Sequence, residues 1–92
     1  MYRLRVDDDT KPEYERIVTP ALSKRVLSTL RIHPTTGLGV FKRSSPPYYG
    51  FKCDYMLAIY HERQEIRVFY LVDETALETT VTHITCKPFG IS

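Results

Sequence analysis

The chain has no tryptophan, two cysteines and four glycines among its 92 residues. The two cysteines, Cys53 and Cys86, stand too far apart for a metal-ligand spacing, which argues against a zinc site or a disulfide-stapled scaffold. With no signal peptide read at the start, free thiols in a reducing cytoplasm are the expectation. No apolar run approaches the roughly 20 residues that a membrane-spanning helix needs. Acidic residues are absent from Pro20 to Cys53, whereas Lys24, Arg25, Arg31, Lys42, Arg43 and Lys52 all fall there. The carboxylates gather instead in Asp7 to Asp9, at Glu13 and Glu15, and from Asp54 onward. That asymmetry predicts a fold with one positive and one negative side, although the net charge is only +2.

What is present describes an ordinary globular domain. Hydrophobic residues make up 42% and charged residues 26%, enough apolar surface for a core and too much for disorder. The length suits one domain, residues 1–92, and not two. Seven tyrosines and four phenylalanines point to strands and to an aromatic-rich surface.

The element order follows from periodicity and punctuation. "YRLRV" alternates Tyr2, Leu4 and Val6 with Arg3 and Arg5, as a half-buried strand near an edge does. Thr10 followed by Glu13 has the form of a capping box, with Pro12 in the first turn, and predicts a helix over about Lys11 to Val18. Thr19 and Pro20 open a second helix, with Leu22, Val26, Leu27 and Leu30 on one face and Pro34 ending it near Ile32 or His33. Two consecutive helices packed as a hairpin on a sheet are expected.

Glycines and prolines then break residues 34–52 into a loop, with a short strand around Leu38 to Lys42 and room for another around Tyr48 to Lys52. "YMLAIYHE" and "EIRVFYLVDE" read as strands joined tightly through Arg63 and Gln64, and Thr79 to Lys87 reads as the last strand. The class is α+β: an N-terminal strand, a two-helix hairpin, then a three- to four-stranded antiparallel sheet.

"IRVFYLVDE" carries an arginine, Arg67, in the most hydrophobic strand of the chain. Together with "LRIHPTTG" closing the second helix and "TTVTHITCK" as the last strand, it resembles the RelE/ParE superfamily of bacterial toxins from toxin–antitoxin pairs. A second register, with "KCDYMLAIYHE" as the arginine-bearing strand, puts Met56 in the arginine's place. The resemblance covers nearly the whole chain and implies one of two activities. RelE-like members cut messenger RNA in the ribosomal A site, without metal or cofactor, and so inhibit translation. ParE-like members inhibit DNA gyrase and are not nucleases. Both kinds act in the cytoplasm, away from the membrane, and are neutralised by a cognate antitoxin protein. A small binding module that kept the fold and lost toxicity is the reading from another class.

Cleaving RNA without a metal takes a group that helps the 2′-hydroxyl attack, one that stabilises charge on phosphate, and one that protonates the leaving oxygen. The resemblance puts a catalytic arginine at Arg67, whose guanidinium suits two phosphate oxygens; a structural pairing with Glu65, Asp73 or Glu78 is the alternative. His83, read on the same face as Val81 and Thr85, has the side chain best suited to proton transfer, while His61 is a weaker candidate. Lys87 occupies the place of the family's C-terminal basic residue. The family's two lysines on the preceding strand correspond to Ala58 and Tyr60, and its terminal tyrosine to Phe89. Tyr60 can give a proton, but a phenol is a poor base near neutral pH. "VFKRSSPPYYGFK" interleaves Lys42, Arg43 and Lys52 with Phe41, Tyr48, Tyr49 and Phe51, a mixture that suits single-stranded nucleic acid. Lys24, Arg25 and Arg31 extend that candidate surface. Packing of these aromatics on the core is the alternative.

Overall fold

The computed structural model describes residues 1–43 and 52–88. The elements run β1 (Arg3–Val6), α1 (Lys11–Ile17), α2 (Pro20–Ile32), β2 (Val40–Lys42), β3 (Tyr55–His61), β4 (Gln64–Asp73) and β5 (Glu78–Pro88). The chain is therefore α+β, as its periodicity indicates. The four strands after the helices form an antiparallel meander, and β1 adds to it in parallel beside β5, giving the order β1-β5-β4-β3-β2. The sheet is thus mixed and five-stranded. The helical crossover between β1 and the meander makes a parallel pairing possible, since parallel neighbours cannot be joined by a tight turn. Tyr48 and Tyr49 lie outside the described residues, and Lys52 belongs to no strand.

One face of the sheet carries the core. Leu57 and Ile59 from β3, Ile66, Val68 and Tyr70 from β4, and Val81 and Ile84 from β5 meet Ile17 of α1 and Leu22, Val26 and Leu30 of α2. Buried hydroxyls fasten the helical layer to the sheet: Thr79 donates to the Leu30 carbonyl at 2.8 Å, and Tyr70 to the Pro34 carbonyl at 2.6 Å. Burial pushes the Tyr70 phenol far above its ordinary pKa. Both helices pack on the sheet, α1 against β5 and α2 against β1 and β5.

The capping box does not form. Thr10 occupies the N-cap position of α1 without a side-chain cap bond. Its hydroxyl instead donates to the Thr82 carbonyl, 2.9 Å away in β5. Glu13 pairs with Arg16, which holds its carboxyl below the usual range.

Thr82 is the extra residue of a β-bulge. Tyr70 faces Val81 and Phe69 faces His83, so the residue between Val81 and His83 has no opposite number. The bulge changes which side His83 occupies. Val81 lies in the core, whereas His83 joins Phe69 and Thr85 joins Arg67 on the opposite face. Reading Val81, His83 and Thr85 as one face fails here, because the period of two is broken at Thr82.

Two tight connections complete the frame. Glu62 and Arg63, at φ 51° and 63°, form the two-residue turn between β3 and β4, one position earlier than expected. Positive φ at both central positions is the type I′ arrangement that matches strand twist. Gly39, at φ +81°, accepts from the Ala58 N–H at 2.9 Å and brings the chain into β2. A Cβ there would stand 2.7 Å from the Ala58 carbonyl oxygen, so the approach requires glycine.

Candidate nucleic-acid interface

The face of the sheet away from the helices carries a cleft among the described residues, although Phe69 on the same face is buried. Three rows of side chains cross this face, each set by the strand register. Tyr60, Glu65 and Lys87 form the first; Ala58, Arg67 and Thr85 the second; Phe41, Met56, Phe69 and His83 the third. Arg67 stands on β4, the middle strand, with a part-buried side chain that lines a cleft of about 350 Å³. Phe41, Arg43, Met56, Tyr60, Glu65 and Phe69 help to line that cleft. Ala58 faces Arg67 directly across the ladder. Its methyl group leaves room over β3 that a longer side chain would fill.

The register makes Arg67 the centre of the candidate set. Tyr60, His83 and Lys87 each sit at a position diagonal to it, although of these three only Tyr60 lines the cleft with it. Diagonal neighbours across a sheet lie roughly 7–8 Å apart, within reach of long side chains that share one ligand. The bulge at Thr82 is what brings His83 into this arrangement. Its ring lies 5.8 Å from that of Phe69, inclined at 44°. Phe69 is buried although it faces away from the main core, so it gives the imidazole an apolar wall.

Glu65 is the functional candidate that sequence reasoning left as a structural partner. It accepts from the Tyr60 hydroxyl at 3.1 Å, and its two carboxylate oxygens lie 3.2 and 3.3 Å from an Arg67 nitrogen. It also faces Lys87 across the ladder. Residues two apart on a strand share a face, so the Glu-x-Arg spacing already placed Glu65 beside Arg67. It is the one carboxylate among the described residues that line the cleft. Asp73 and Glu78, offered as alternative partners of Arg67, stand at the far end of β4 and at the start of β5.

The other cations do not share one surface. Lys42 and Arg43 are exposed and line the cleft. Arg43 donates to the Cys53 carbonyl at 3.4 Å, and burial pushes the Cys53 thiol up. Lys24 and Arg25 line a separate groove between α2 and the loop that follows it. Arg31 borders another, beside β1. Those helices cover the core face, so the single positive side expected from charge order divides in two. Lys52 is exposed before β3, and its carbonyl accepts from the Thr82 hydroxyl at 2.6 Å. His61 stays at the β3–β4 turn, 3.6 Å from Glu62.

Comparisons with protein-family models, curated proteins and solved structures found no match. The candidate site therefore rests on its own geometry. Among the described residues no helix is long and apolar enough to cross a membrane.

Proposed function

We propose that the cleft on the face of the sheet away from the helices holds single-stranded RNA and that the protein cuts it without a metal. The observation that carries this reading is the position of Arg67, mid-sheet in a cleft, with Tyr60, His83 and Lys87 diagonal to it and Glu65 beside it. A guanidinium offers paired donors to two non-bridging phosphate oxygens. With phosphate there, the 2′-oxygen bonds to phosphorus as the bond to the 5′-oxygen breaks. The proton leaving the 2′-hydroxyl passes to the Glu65 carboxylate, and His83 gives a proton to the departing 5′-oxygen. Arg67 and Lys87 offset the charge that gathers on phosphate in between.

This chemistry and the resemblance together support a RelE-like toxin acting on ribosome-bound messenger RNA in the cytoplasm. Its partners are the ribosome and a cognate antitoxin. The test incubates the purified protein with labelled messenger RNA, with and without ribosomes and with EDTA present, and maps the ends. Cleavage that survives EDTA and disappears in Arg67→Ala, with folding retained, is the expected result. Absence of cleavage by the wild-type protein in every condition refutes the nuclease reading. A parallel supercoiling assay then asks whether the protein inhibits gyrase as ParE-like toxins do.

A further inference from the structure

We propose that Phe41 is a stacking platform for one unpaired base of a nucleic-acid strand whose phosphate is held at Arg67. This inference rests on the RNA reading of the cleft and adds the recognition of a base to it. Phe41 lies on β2, the edge strand, and faces Met56, which in turn faces Phe69. The three form an apolar row that runs from the rim to the floor of the cleft. Phe69 at the floor is 2% exposed, Phe41 at the rim 57%. Single exposed apolar side chains are ordinary on a protein surface, so the exposure of Phe41 gains meaning only from its place at the rim of the cleft and from the charges beside it.

Its surroundings select the occupant. Lys42 and Arg43, the next two residues, line the same cleft, and Arg67 lies two strands inward and one row along. Strands repeat every 4.7–4.9 Å, so the ring stands on the order of 10 Å from the Arg67 column. An exposed ring that lines one cleft with Arg43 and Arg67 fits a polyanion that also carries flat apolar faces. Single-stranded RNA has both, whereas the bases of a duplex are already stacked and leave Phe41 uncovered. An apolar protein segment would use the ring but not the three cations around it.

The absence of tryptophan makes the test direct, because Phe41→Trp introduces a single reporter at the proposed contact. The probe is a labelled 2′-O-methyl RNA decamer, which cannot be cut, together with the same decamer in duplex form. Binding is followed by anisotropy of the label and stacking by tryptophan emission. Quenching by the single strand and not by the duplex is expected. Phe41→Ala should weaken single-strand binding roughly 5- to 150-fold, the range that loss of one stacked base gives, while Phe41→Tyr stays near wild type. Thermal unfolding of each variant checks that the exposed position tolerates the change. RNA that binds without quenching, with unchanged affinity in Phe41→Ala, overturns the platform and leaves the Arg67 reading standing. Equal quenching by duplex also overturns it. No binding of either RNA by the wild-type protein overturns the platform, whereas the nuclease reading stands or falls on cleavage with ribosomes supplied.

Discussion

Replacing Thr10 by aspartate separates two accounts of the same residue. If Thr10 served as the cap of α1, Asp would cap at least as well, because its carboxylate accepts from the first helical N–H groups and suits the positive helix end. In the structure the Thr10 hydroxyl is instead a donor, spending its proton on the carbonyl of the bulge residue Thr82 at 2.9 Å. Aspartate cannot donate there, and it brings a negative charge against a carbonyl oxygen at a residue that is 8% exposed. Losing such a bond and leaving its acceptor unpaired costs about 1–3 kcal/mol, and the facing charge adds to that. For a domain of this size each 1 kcal/mol shifts the melting temperature by about 4–8 °C. Thr10→Asp should therefore melt at least about 5 °C below wild type. Thr10→Ser, which keeps the donor, should fall much less. A Thr10→Asp protein as stable as wild type, or more stable, refutes the anchoring of the bulge by this hydroxyl. A third variant, Thr10→Val, which removes the donor without adding charge, connects stability to the site. A loosened bulge frees β5 to move His83, so the imidazole resonances of Thr10→Val should shift relative to wild type. Thr79→Val, which removes a buried hydroxyl remote from the bulge, should leave them in place.

Two further outcomes follow from local geometry. Burial holds the Tyr70 phenol protonated in the folded state while the unfolded chain ionises near ~10, so stability should be complete below that pH and fall above it; Tyr70→Phe should flatten this alkaline slope in denaturant titrations and cost about 1 kcal/mol at pH 7. Glu62→Asn with Arg63→Gly supplies the residues that favour positive φ at both turn positions, and should raise stability by about 1 kcal/mol in thermal unfolding.

Much of the frame is legible from residue order because the signals are local. Thr19-Pro20 starts α2, the apolar positions 22, 26 and 30 face the core, and Pro34 follows its end. The apolar run over residues 66–72 marks β4 equally plainly, and Arg67 stands out as the one charged residue within it. What escaped such reading depends on distant partners. Thr10 has the right type for a cap, yet its proton goes to an acceptor 72 residues away. The bulge does leave a trace: Thr79, Val81, Ile84 and Cys86 share the core side only if the count of two slips once between 81 and 84. Carrying the period straight through that interval assigns His83 to the wrong neighbours. Nothing local in "RLRV" specifies a parallel partner, so the place of β1 beside β5 is a property of the whole chain. Charge order misleads in another way. Lys24 and Lys42 belong to one acid-free stretch, but a helix on one face and a strand rim on the other separate them.

The Arg67–Glu65 pair makes a last demand on the RNA reading, since an arginine already facing a carboxylate must exchange it for phosphate. Both side chains keep contact with solvent, at 34% and 20% exposure, so the pair is neither sealed nor costly to open. Glu65→Gln keeps the shape and an acceptor for the Tyr60 hydroxyl while removing the competing charge. RNA should then bind more tightly, and the salt dependence should steepen by about 0.7 in logarithmic slope, the value for one more cation engaged by a single strand. If Glu65 also takes the proton of the 2′-hydroxyl, cleavage should fall by roughly 10²–10⁴-fold in the same variant. Tighter binding with slower cutting distinguishes a carboxylate that works in the reaction from one that only holds the arginine. Tighter binding with undiminished cutting removes Glu65 from the proton path and leaves Arg67 as the phosphate site. Affinity and salt slope that do not change at all would show that phosphate never meets Arg67, and the cleft would then need another ligand.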